Sequence, residues 1–130
     1  MYTTRMSMNV NLLETWVSRL NNAELDDLVF MYSEEAILFA TFEKSPLNKP
    51  QLIRDYFTNF LSKEGAGVEL DSSTVQHSKL GETCHSSTGL YTFFYSENDQ
   101  LVRQKARFTF IFKGEVTGTI LHHHSSVIPS

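Results

Sequence analysis

Apolar residues recur at helical spacing in the first half of the chain and at strand spacing in the second. Val10, Leu13, Trp16, Val17 and Leu20 follow an i, i+3, i+4, i+7 rhythm, which predicts a helix over 8–21 with one buried stripe. Asn9 or Asn11 suits its N-cap, and Asn21-Asn22 breaks it. Leu25, Leu28, Val29 and Tyr32 mark a second, short helix. Glu24, Asp26 and Asp27 sit near its start, where acidic groups favour the helix dipole. Glu35 to Phe42 is a β-prone apolar run and predicts a first strand. Pro46 to Pro50 reads as a loop, with Pro50 suited to the first turn of a third helix. That helix runs to about Lys63 and carries a wide apolar face of Leu52, Ile53, Tyr56, Phe57, Phe60 and Leu61; Glu64-Gly65-Ala66-Gly67 ends it.

From Val68 onward the pattern predicts strands only, over about 68–79, 82–96, 101–113 and 116–127. Gly81-Glu82, Glu97-Asn98-Asp99 and Lys113-Gly114-Glu115 are the turn signals between them. Helix, helix, strand, helix and an antiparallel meander make an α+β fold. Strands of this length twist and curl strongly, and helices laid across a curled sheet enclose a pocket.

The 130 residues fit one domain spanning 1–130. Ten Phe and five Tyr are an unusual load of large rings, which suit pleated, half-buried surfaces. A net charge of −4, with eleven Lys and Arg scattered along the chain, argues against nucleic acid, because phosphate binding needs a clustered basic face. Cys84 is the only cysteine, so no internal disulfide can form, which suits a reducing compartment. The residues from Met1 to Met6 lack the apolar core of a signal peptide, and no stretch reaches the length of a spanning helix. A cytoplasmic protein that meets no membrane is expected.

Four segments carry a resemblance that covers nearly the whole chain: Glu35–Phe42, Ile53–Leu61, the pair Gly89-Leu90-Tyr91-Thr92-Phe93 with Ala106-Arg107-Phe108-Thr109-Phe110, and Leu121-His122-His123-His124-Ser125-Ser126-Val127-Ile128-Pro129. Together they resemble the NTF2-like superfamily, and within it the association domain of calcium/calmodulin-dependent protein kinase II and its stand-alone bacterial relatives. The resemblance implies a cone-shaped fold, assembly through the sheet, and a deep pocket in which the kinase hub places several arginines. Arg107 matches one of those positions. Tyr91 and Ser125 stand at two others, and Gly118 stands where a Trp is usual. No kinase segment or basic calmodulin-binding helix accompanies the resemblance, so calcium dependence is not implied.

Strand parity sharpens the chemistry. Arg107 and Thr109 share one face, and Phe108, Phe110 and Phe112 share the other. Two placements are open: Arg107 in the pocket with the rings outward, or the rings in the core with Arg107 in solvent. The resemblance favours the first. Three outward rings would then need covering, which predicts a homo-oligomer, most simply a dimer, with His122 and His124 near the interface. A buried guanidinium needs a partner and suits a small anion. Tyr56, Tyr91, His123 and Ser125 would surround it.

His122, His123 and His124 do not make a metal site, because consecutive strand residues alternate faces and cannot converge on one ion. No metal and no cofactor is expected. Cys84 and His85 face opposite ways for the same reason. Isomerase chemistry of the ketosteroid type needs a carboxylate base in an apolar pocket, and the stretch Ile37 to Phe42 of the first strand holds none until Glu43 at its end, with Glu34 and Glu35 preceding it at the rim. The reading is therefore an oligomeric domain that binds a small, possibly anionic molecule without catalysis. The alternatives are a small isomerase, dehydratase or hydrolase with His123 as general base, or a pure oligomerisation module.

Overall fold

A computed structural model describes residues 2–114 and 117–129, with side chains described from Leu12 onward. The order is α1 (Tyr2–Asn21), α2 (Leu25–Phe30), β1 (Tyr32–Phe39), α3 (Pro50–Leu61), β2 (Glu64–Lys79), β3 (Cys84–Glu97), β4 (Gln100–Lys113) and β5 (Ile120–Val127). Every expected element is present. The five strands form one sheet in the order β1-β5-β4-β3-β2. All neighbours are antiparallel except β1 and β5, which run parallel.

Several boundaries differ from expectation. Helix α1 begins well before Asn9 and Asn11, so neither residue caps it. Tyr32 does not extend α2; it opens β1 with its ring buried. Residues 64–67 start β2 rather than close α3, with Gly65 at φ 66° supplying the turn. The hinge from α1 is held by Asn21, whose amide accepts from Val68 N–H at 2.8 Å and donates to Val68 O at 3.0 Å. Pro50 opens α3 behind an extended Lys49. Asn98 and Asp99 turn β3 into β4, both at positive φ, as a tight hairpin of this hand requires. Glu115 and Val116 lie outside the described residues, and β5 begins at Ile120 rather than near 116.

The helices cover the sheet face that carries Phe108, Phe110 and Phe112, and all three rings are in the core. This overturns the favoured placement: the rings are not an oligomer interface, and Arg107 lies on the opposite, exposed face, where its Nε donates to Ser126 Oγ at 3.0 Å. The physical reason is one of magnitude. Burying three phenyl rings returns about 1.5–3 kcal/mol each, whereas an unpaired buried guanidinium costs several kcal/mol.

Trp16 is the centre of the core. Its indole stacks on Tyr91 at 5.9 Å and meets Phe110 edge-on at 5.1 Å. The helices thus close the space beneath the sheet with aromatic rings. No helix among the described residues is long and apolar enough to cross a membrane.

Candidate functional site

The register sorts the expected site residues onto two faces. β4 and β5 pair Phe108 with Ser125, Phe110 with His123 and Arg107 with Ser126. Residues directly opposite in a ladder share a face, so His123 and Ser125 go inward with the rings. His124 pairs with Thr109 and points outward with Arg107, as does His122. Of the five residues expected around a ligand, the fold brings Tyr91, His123 and Ser125 together. It sends Arg107 to the other side of the sheet and leaves Tyr56 on α3.

The interior group is a hydrogen-bonded chain. Trp16 Nε1 donates to the Tyr32 hydroxyl at 3.0 Å. Tyr32 lies 2.8 Å from His123 Nδ1, and Tyr91 lies 3.0 Å from His123 Nε2. Ser125, which faces inward beside this group, bonds Thr41. One proton assignment satisfies every link. The indole can only donate, so Tyr32 accepts from it and donates to Nδ1. Nε2 then carries the ring proton and donates to Tyr91. The reverse tautomer leaves the Tyr32 proton without an acceptor in this group. The imidazole also stacks on Phe110 at 3.8 Å.

Burial dominates the protonation of this chain. It holds His123 well below the usual histidine range, with His122 and His124 adding in the same direction. It pushes the Tyr32 and Tyr91 phenols up. The group is therefore neutral over the ordinary pH range, and both ring nitrogens of His123 are engaged. A general base needs an open lone pair within reach of a substrate proton, and His123 does not present one.

The open space lies elsewhere. A cleft of about 370 Å³ runs along α3, between the segment after β1 and the end of β3. Phe42, Leu47, Leu52, Phe60 and Tyr95 supply its apolar lining, and Glu43, Asp55, Tyr56, Asn59 and Lys63 its polar groups. Phe42 is 41% exposed and Leu52 is 40% exposed, so both present apolar surface to the cleft. Phe42 stacks on Phe60 at 6.1 Å and meets Tyr95 edge-on at 6.0 Å. Burial raises the Tyr56 phenol, and the nearby Glu43 charge adds to the rise, while the Phe42 backbone hydrogen bond opposes it.

Sequence reasoning placed Tyr56 at a ligand and missed the rest of this cleft. A signal was present. Leu52, Asp55, Tyr56, Asn59 and Phe60 fall at i, i+3, i+4, i+7 and i+8, a single strip of α3, and Lys63 follows just beyond its end. The strip mixes polar and apolar residues, so it does not stand out as either a core face or a solvent face.

The comparisons with known proteins bear on this geometry. The sequence profile of the SnoaL-like domain matches residues 10–130. No curated protein sequence matches the chain. Among solved structures, a protein from Xanthomonas campestris, assigned as a calcium/calmodulin-dependent protein kinase II association domain, superposes with a TM-score of 0.81 at 24% identity, over 93% of this chain and 86% of that one. An NTF2-like protein with a cystatin-like fold from Novosphingobium aromaticivorans superposes with a TM-score of 0.78 at 7% identity, over 99% and 85%. A protein with a cystatin-like fold from Caulobacter vibrioides gives 0.77 at 13% identity, over 97% and 91%. These likenesses, with three helices against a mainly antiparallel five-stranded sheet, bear out the NTF2-like cone expected from the sequence, and the chain belongs to the SnoaL-like domain family.

Proposed function

We propose that this protein is a self-associating domain that holds a small molecule in the α3 cleft and performs no chemistry on it. The observation that carries this reading is the division of the interior. The space beneath the sheet is filled by Trp16, Tyr91, Phe110 and His123, while the α3 cleft is open, aromatic and within the size range of small-ligand sites. A tryptophan at Leu52 would occupy the cleft from an exposed helix position and leave the core untouched. We expect 2-phenylethanol, as a neutral aromatic probe, to show saturation-transfer NMR signals with the wild-type protein and none with Leu52→Trp. Equal signals from both proteins would sink the proposed location.

The self-association part rests on the outer sheet face. Ile37 is 38% exposed and Phe39 is 39% exposed there. The Phe39 ring stacks on His124 at 5.3 Å and lies 5.9 Å from His122. A solvent-facing aromatic and two imidazoles on one sheet face suit an isologous contact with a second copy. The association-domain name carried by the Xanthomonas protein supports the same reading. Light scattering after size exclusion at tens of micromolar is expected to give a dimer for the wild type and a monomer for Phe39→Asp. A monomeric wild type at that concentration would remove this part of the proposal.

One observation favours a second reading, proton transfer. Glu43 lies close enough to Tyr56 for its charge to raise that phenol, and both line the same cleft. Glu43 is exposed to solvent and does not sit in the apolar pocket that such chemistry uses, so this reading ranks second. It requires solvent deuterium to enter a cyclic ketone α to its carbonyl, and Glu43→Gln to stop the exchange.

A further inference from the structure

The charge around the α3 cleft identifies the class of molecule it suits, and the sign is opposite to the one expected from the sequence. Three charge-bearing side chains line the cleft: Glu43, Asp55 and Lys63. Lys63 is already engaged. Its Nζ lies 3.6 Å from Glu97 and 4.9 Å from the centroid of the Tyr95 ring. Asp55 has a neutral partner, accepting from Gln51 Nε2 at 2.8 Å. Glu43 accepts from the Lys44 backbone N–H at 3.1 Å. Among the described residues, the ion pairs are Arg54–Asp26, Lys63–Glu97 and Arg103–Glu69, so neither cleft carboxylate has a cationic partner.

The aromatic lining is an independent observation that points the same way. Phe42, Phe60 and Tyr95 form a mutual cluster, with Phe60 and Tyr95 edge-on at 6.2 Å. Ring faces attract cations and apolar bodies and do not favour anions. Lys63 over Tyr95 shows the same preference satisfied internally. An arginine that could have favoured an anion, Arg107, is on the outer face of the sheet.

We infer that the cleft takes a small organic ammonium ion with an apolar or aromatic body, the body on Phe42 and Phe60 and the charged head between Glu43 and Asp55. This rests on the cleft being a ligand site, as proposed above. A carboxylate or phosphate ester of the same size would be repelled by two uncompensated carboxylates.

The test compares three probes of one shape: 2-phenylethylammonium, 2-phenylethanol and 3-phenylpropanoate, titrated into the full chain at low salt by NMR. The ammonium ion is expected to bind about tenfold more tightly than the alcohol, the sum of two exposed charge contacts, and the propanoate more weakly than both. The advantage should shrink in about 0.5 M salt as screening rises. The double variant E43Q/D55N changes two exposed residues, should melt at the wild-type temperature, and should bring the ammonium ion to the affinity of the alcohol. If the alcohol binds and Leu52→Trp stops it, but the ammonium ion is no tighter, the charge inference fails and the ligand reading stands. An ammonium affinity unchanged in E43Q/D55N also overturns the inference. If none of the three probes binds, both readings fail.

Discussion

Replacing Trp16 by alanine is expected to cost about 3–5 kcal/mol of stability, the range for removing a fully buried large ring. Trp16 has no exposed surface and contacts Phe57, Tyr91, Phe110 and His123. Its removal opens a cavity where helix α1 meets the inner sheet face. It also takes away the only indole donor, so the Tyr32 hydroxyl loses one of its two partners. Typical domains are stable by about 5–15 kcal/mol, so the variant should be marginal. Urea unfolding followed by circular dichroism measures the loss. Trp16→Phe separates the two contributions, because it keeps most of the ring volume and deletes the N–H; it is expected to cost about 1–3 kcal/mol. A loss below about 1 kcal/mol in Trp16→Ala would mean that the interior is not closed around this residue.

Acidification is expected to have the second largest effect. In the folded state burial holds His123 neutral, with its pKa well below that of a free imidazole. In the unfolded chain the same ring titrates near pH 6.5. The unfolded state therefore binds more protons as pH falls through that value, and folding stability falls with it. The stability is fully present above the unfolded pKa and is lost below it, at up to about 1.4 kcal/mol per pH unit, until the folded pKa is reached. Between pH 7 and pH 5 the titration of the unfolded chain sets a ceiling of about 2 kcal/mol on the loss from His123. Burial also lowers His77 and His122, and both add to the slope with the same sign. Urea midpoints at pH 7, 6 and 5 measure it. His123→Gln cannot titrate and should show a shallower pH dependence, whatever its stability at pH 7. A slope unchanged in that variant would remove His123 as its main source.

Much of the fold is legible in the sequence. The three helices announced themselves by apolar spacing, and Pro50 marked the start of α3 because its ring has no N–H to lose in a first turn. Asn98-Asp99 marked the β3–β4 hairpin because these residues tolerate positive φ. These are local signals, decided within a few residues. Tyr32 was misassigned at such a boundary, where a residue that fits a helix face also fits a strand.

The candidate site was less legible. Alternation along β4 showed that Arg107 and the three phenylalanines lie on opposite faces, and that much is a property of any strand. Which face looks inward depends on what packs there, and no residue of β4 encodes it alone. The same applies to His123 and Ser125. Their company with Phe110 and Phe108, rather than with Arg107, is set by the β4–β5 register, a pairing between strands joined through a loop of unspecified reach. Arg107 with His123 and Ser125 was a combination that this register forbids.

The α3 cleft is likewise a product of three separate segments. By itself the sequence determined the elements, their order, the α+β class and the alternation of faces, because each follows from periodicity and turn chemistry. Only the tertiary structure decided that the aromatic rings fill the cone, that the arginine stays in water, and that the cleft along α3 carries carboxylates. Those outcomes follow from burying apolar area against α1 and α3 at the lowest electrostatic cost, a comparison that exists only once the layers have met.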